Sequence, residues 1–154
     1  MSLPDATTQI TDVARVIQLA VALVFLLSGI GAFLNVMAGR LGRTVDRARR
    51  LEGEIGGFDP GERLRALTEL HILDRRMRLA HFSIYACTAS ALAVCVLVAL
   101  LFVADLSGIG FARTVAVLFV VAMALIVLGL GFFLAEVRLA TVSVRVRRDL
   151  LPKA

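Results

Sequence analysis

Three stretches of this chain, Val16–Ala38, Phe82–Ala104 and Thr114–Ala135, contain no Asp, Glu, Lys or Arg. Each is long enough for the roughly 20 residues that an α-helix needs to cross a hydrocarbon core. A helix is also the element that satisfies its own backbone polar groups where no water can do so. The remaining sequence is therefore constrained to connect three spanning helices. Composition agrees: 59% of the 154 residues are hydrophobic and the mean hydropathy is +0.88, above the usual range for soluble domains. The expected architecture is a single all-α integral membrane domain. The first run is read as retained, because Asp5 and Asp12 precede it where a secretory signal wants positive charge, and its apolar core is too long for one.

Charge sets the orientation. Of the 17 Lys and Arg residues, ten lie between Arg40 and Arg78 and five follow Glu136, whereas residues 1–14 and 105–112 have none. The positive-inside rule then divides the chain. Residues 1–12 are an outer segment, 13–38 the first span, 39–81 a cytoplasmic helical hairpin and 82–104 the second span; 105–111 form an outer turn, 112–135 the third span and 136–154 a cytoplasmic tail. The stretch from Arg40 to Arg78 interleaves seven acids with its ten arginines, so the net charge of +5 does not mark a basic patch. With no Trp, and Phe58 its sole aromatic, that stretch has no base-stacking platform, and nucleic acid is not an expected partner.

Local signals fill in this frame. Thr7 or Thr8 is a candidate N-cap before Ile10, Val13 and Ile17 at helical spacing. Arg15 at the outer interface suits snorkelling to headgroups. Beyond Ala38 the helical period persists through Leu41, Val45, Ala48, Leu51 and Ile55, which describes an amphipathic arm. If span and arm are one helix, residues 13–55 reach roughly 64 Å. Gly39 and Gly42 could instead mark a bend or a close helix contact. Asp59, Pro60 and Glu62 have the order of a helix start, and a second arm offers Leu64, Leu67, Leu70, Leu73, Met77 and Ala80 as its seam. The pairs Asp46 with Arg50, Arg65 with Glu69 and Asp74 with Arg78 stand at i, i+4. The short Asp105–Gly110 turn makes spans two and three antiparallel neighbours. In the tail, Thr141–Arg147 alternates as a strand would, but continuity with the third span favours a helix ended by Pro152.

Candidate site residues are few. Ser28, Gly31, Asn35, Gly39 and Gly42 recur every three or four residues and form one narrow stripe on the first helix; Gln18 lies about 80° away from it. Small groups let membrane helices approach closely, and a buried amide such as Asn35 needs a partner on another helix. That partner is expected on spans two and three, or else on a second subunit. Arg40, Arg43, Arg47, Arg76, Arg78, Arg145, Arg147 and Arg148 fall near the inner leaflet, where anionic lipid headgroups are natural partners; alternatively they fix topology and pair along the helices. Cys87 and Cys95, about 12 Å apart along a helix, cannot be bridged and read as buried packing residues. His71 and His81 stand about 280° apart around a helix, so no metal site is expected. Ser28–Ala32 lacks the Lys and Ser or Thr of a phosphate loop, and no serine is spaced to a base as a nucleophile requires. Neither a cofactor nor an enzymatic activity is expected.

One resemblance emerges. Val16, Ile17, Gln18 and Leu19, then Gly29, Ile30, Gly31, Ala32, Leu34 and Asn35, then Arg40, Leu41, Arg43, Val45, Asp46, Arg47, Ala48 and Arg49 form a fairly specific block. With Leu73, Arg75, Arg76 and Arg78, Ser90, Ala91, Leu92 and Cys95, and Phe133, Leu134 and Glu136, it resembles the bacterial membrane family known as domain of unknown function 2721. The resemblance implies three spans and a cytoplasmic hairpin, and it implies no activity; the expected location is the bacterial inner membrane. The leading functional expectation is a non-enzymatic homo-oligomeric assembly or scaffold in that membrane. The alternative is an oligomeric channel or small-solute transporter, its lumen lined by Gln18, Ser28 and Asn35 and its vestibule by the arginines.

Overall fold

In the computed structural model, the backbone is described for residues 3–107 and 112–148 and the side chains for residues 14–104 and 112–141. The first apolar run and its charged arm form one helix, α1 (Leu3–Glu54), whose 52 residues span about 78 Å. Gly39 and Gly42 lie inside it without ending it. Thr7 and Thr8 also lie inside it: the helix begins several residues before the candidate cap. A single 3-10 turn, Ile55–Gly57, is followed by Phe58 in extended conformation (φ −85°, ψ 144°), and the chain reverses there.

The second arm and second span are likewise continuous as α2 (Pro60–Ser107), of 48 residues. Proline suits a first helical position because its missing N–H would have had no partner there. The helix's first backbone bond runs from Arg63 N–H to the Asp59 carbonyl at 2.8 Å. The third helix, α3 (Ala112–Arg148), carries the tail in helical form to Arg148, as continuity predicts, and Pro152 lies outside the described residues. Ser107 is still helical, so α2 extends past Asp105, the start of the expected turn; residues 108–111 lie outside the described residues.

Helix α2 is central and packs along both neighbours, while α1 and α3 approach each other far less. The α2–α3 contact is made by small residues. Ser83, Cys87 and Ser90 are buried at i, i+4 and i+7 against Gly129 and Ala122. The Ser83 hydroxyl donates to the Gly129 carbonyl at 2.6 Å, and that of Ser90 to the Ala122 carbonyl at 2.8 Å. Water exclusion gives little attraction between helices in lipid, so close approach and such hydrogen bonds bind them. Cys87 is buried here as expected, but Cys95 is exposed: eight residues on, it has rotated about 80° off the contact face.

Between the arms, Ala48 and Leu51 of α1 meet Ala66 and Leu73 of α2, with Ile55, Phe58, Leu70 and Met77 packed around them. The seam of α1 follows its apolar period. That of α2 departs from the expected one, since Leu64 and Leu67 are exposed. A run stepping strictly by three drifts about 60° per step around a helix of 3.6 residues per turn; Ala66, Leu70, Leu73, Met77 and Ala80, alternating four and three, hold one face.

All three helices are long and apolar enough to cross a membrane. Only 11%, 22% and 11% of the residues in their most apolar windows are buried, so most of this apolar surface points outward. In water that would be a liability; against hydrocarbon it is the required surface.

Candidate functional site

Glu136 is the first charged residue after the uncharged run of α3, and its side chain is only 3% exposed. A carboxylate buried at the end of an apolar span is costly unless its oxygens are matched by positive donors. Both oxygens are matched. Arg76 of α2 donates to Oε1 through Nε at 3.1 Å and Nη2 at 2.9 Å; Arg40 of α1 donates to Oε2 through Nη2 at 3.1 Å. One acid thus ties all three helices at the hairpin end of their apolar segments.

Aromatic rings brace this tie from the apolar side. Phe33 of α1 packs edge-on against Phe133 of α3, with centroids 5.1 Å apart, and the Arg40 guanidinium lies 5.6 Å from the Phe133 centroid. An arginine over a ring gains from the ring's negative face, so Arg40 is held by an anion and a π-system at once. Its Nε is buried without a hydrogen-bond partner.

Towards the hairpin tip, Arg47 donates to Glu69 across the arms, Nε at 3.0 Å and Nη2 at 2.9 Å. That hydrogen bond, aided by the charge of Glu69, raises the pKa of Arg47. Glu69 therefore serves the opposite arm instead of Arg65, its i, i+4 neighbour. Asp46 and Arg50 form no ion pair, whereas Asp74 and Arg78 pair at 3.1 Å as the spacing predicts. Between α1 and α2 a cavity of about 260 Å³ is lined by Arg40, Arg43, Thr44, Arg47, Leu73 and Arg76. Four of the arginines expected at headgroup level thus converge on one space. Arg78 is not among them, and the side chains of Arg145, Arg147 and Arg148 lie outside the described residues.

The stripe on α1 behaves differently from the reading that packs it on spans two and three. Gln18, Ser28, Gly31, Asn35, Gly39 and Gly42 are all exposed. The buried residues of α1, such as Ile30, Met37 and Thr44, lie roughly 160° round the helix from the stripe. The physical reason is that α1 carries a second, more apolar face, on which Leu23, Ile30, Met37, Ala48 and Leu51 are buried, and it is this face that α2 covers. The close small-residue contact is instead between α2 and α3.

His71 and His81 are exposed and remain apart; His81 Nδ1 lies 2.9 Å from the Met77 carbonyl of its own helix. Among the described residues no group of three or more His, Cys, Asp and Glu comes together. Sequence reasoning missed the role of Glu136, which stood as the start of the tail and as one residue of the family resemblance, without a partner. A lone acid at the end of an uncharged run was the available signal, since only pairing makes its burial tolerable. Gly129 carried no such signal.

A family model described as "Protein of unknown function (DUF2721)" matches residues 20–146. No curated protein and no solved structure matches the chain.

Proposed function

The chain belongs to the DUF2721 family, and from that premise we propose that it is a non-enzymatic protein of the bacterial inner membrane whose copies associate into a homo-oligomeric scaffold. In this reading the hairpin and tail are cytoplasmic and the N-terminus is outside, supported by the basic clusters on one side of the three spans. The observation that carries it is the outward stripe on α1. An amide facing hydrocarbon lacks a hydrogen-bond partner, and Asn35 is exposed amid Gly31, Gly39 and Gly42, which leave room for another backbone to approach. A second copy supplies that backbone and an identical amide, which can both donate and accept. Leu64 and Leu67, exposed on the arm, offer a further apolar contact outside the membrane.

The test is disulfide crosslinking in cells. In a Cys95→Ser background, Asn35→Cys and Gly31→Cys are expected to give dimers, while Phe25→Cys, off the stripe, gives few. A chain that stays monomeric at every expression level and at every stripe position removes the scaffold.

The exposure of Gln18, Ser28 and Asn35 also favours a second reading, in which these side chains line a water-filled axis between copies and the oligomer conducts ions or small solutes. Planar-bilayer recording separates the two. Current through the wild type that falls with Asn35→Leu supports conduction; an intact oligomer that passes none in either form eliminates it.

A further inference from the structure

Besides the arginine cavity, an apolar one lies along the same face of α1. This second cavity, about 400 Å³, lies among the apolar segments, where Phe25, Gly29 and Phe33 of α1 face Ile126 and Leu130 of α3 across Cys87 of α2. It exists because α1 and α3 both pack on α2 but little on each other. Around α1, the apolar-cavity residues Phe25, Gly29 and Phe33 and the arginine-cavity residues Arg40, Arg43 and Arg47 fall within about 80° of one another. Phe33, which lines the apolar cavity, packs on Phe133, and the guanidinium of Arg40, which lines the arginine cavity, lies 5.6 Å from the centroid of that same ring. From Gly29 to Arg43 the helix rises about 21 Å, close to the depth of one leaflet with its headgroup.

Charge distinguishes the upper end. Four guanidiniums line the arginine cavity, and the carboxylates that pair with them are those of Glu136, shared by Arg40 and Arg76, and Glu69, on Arg47. Among the described residues, two positive charges are left unmatched by an ion pair. Arg43 makes no ion pair among the described residues. We infer that the two cavities are one amphiphile site holding an anionic phospholipid of the hairpin-side leaflet. Its phosphate sits among Arg40, Arg43, Arg47 and Arg76, and an acyl chain lies along Phe25, Gly29 and Phe33. Arginine recognises phosphate through paired donors in a fixed fork, and the apolar cavity lies where a chain attached to that phosphate would run. A soluble anion would match the arginines and leave the apolar half uncovered. This site rests on the reading of the three helices as spans, but not on oligomerisation, because the stripe faces about a third of a turn away around α1.

Native mass spectrometry of the full chain in detergent, titrated with phosphatidylglycerol, phosphatidylcholine or inorganic phosphate, tests it. Phosphatidylglycerol is expected to bind at least about tenfold more tightly than phosphatidylcholine, with about a fivefold loss for each guanidinium removed in Arg43→Gln and in Arg43→Gln with Arg47→Gln. Arg43→Gln disturbs no ion pair, so its fold is not at stake. Gly29→Leu enters open space in the apolar cavity and is expected to weaken both lipids. Equal binding of the two lipids, or Arg43→Gln with Arg47→Gln binding phosphatidylglycerol as wild type does, overturns the proposal. So does displacement of phosphatidylglycerol by equimolar inorganic phosphate, which would make the ligand a soluble anion. The same spectra count copies: monomers that keep the lipid preference retain this site and sink the scaffold, and oligomers without that preference do the reverse.

Discussion

Glu136 on α3 receives two hydrogen bonds from Arg76 on α2, at 2.9 and 3.1 Å, across 60 residues of sequence, and its other oxygen is taken by Arg40. Removing one member of a buried ionic group strands the others. Arg40 and Arg76 are 30% and 20% exposed, which moderates the cost. Glu136→Gln is therefore expected to destabilise the chain by about 3 kcal/mol, while replacing all three by apolar residues of similar size (Arg40→Met, Arg76→Met, Glu136→Leu) costs much less. Unfolding in mixed detergent micelles checks both. If the triple replacement proves worse than Glu136→Gln, the tie contributes more than charge compensation.

The contact of Gly129 with α2 gives a second expectation. A methyl group on Gly129 would press against Cys87 Sγ and lie 3.2 Å from the Ser83 carbonyl oxygen, so α2 and α3 must separate to admit it. Gly129→Ala is expected to cost about 1–3 kcal/mol, part of it through loss of the Ser83 hydrogen bond. At Gly131, two residues on, nothing lies within 4 Å. Gly131→Ala should be neutral or stabilise the helix by up to about 1 kcal/mol. Melting curves of the two variants under identical conditions decide this.

Leucines of the second arm should divide sharply. Leu73 is buried in the hairpin seam, and Leu73→Ala is expected to cost about 2–4 kcal/mol. Leu64→Ala and Leu67→Ala, on the exposed face, should change monomer stability by less than about 0.5 kcal/mol. A large loss at Leu64 under conditions that keep the chain monomeric would show the seam to be misplaced.

The bridge from Arg47 to Glu69 joins groups that are 44% and 43% exposed. Such a pair contributes at most about 1 kcal/mol, so the effect of Glu69→Gln should be small and vanish in about 1 M salt. The pKa of Arg47 is raised by Glu69, so the part of the bridge's contribution that depends on the guanidinium is present at neutral pH and is lost as pH rises into strong alkali. A stability change near neutral pH that disappears with Glu69→Gln would contradict this.

The seam of α1 follows its apolar spacing because that arm is amphipathic, with Asp46, Arg49 and Arg50 marking the wet side. The arm of α2 misleads because Leu64, Leu67, Leu70 and Leu73 invite a step of three that the helix does not keep. The stripe at Ser28 to Gly42 was legible as a surface, but its partner was not, since small size indicates close approach without saying to what.

By itself, then, the sequence determined the number of long helices, the reversal before Pro60 and which segments are apolar, because these depend on neighbours along the chain and on transfer between water and hydrocarbon. Tertiary structure alone decided that Glu136 meets an arginine 96 residues away, that Gly129 seats Cys87, and that Asn35 faces outward. Each of these depends on how a span is rotated about its axis. A helix apolar all round its circumference has no wet side to specify that rotation; it is settled only when small residues and buried charges find their counterparts on another helix.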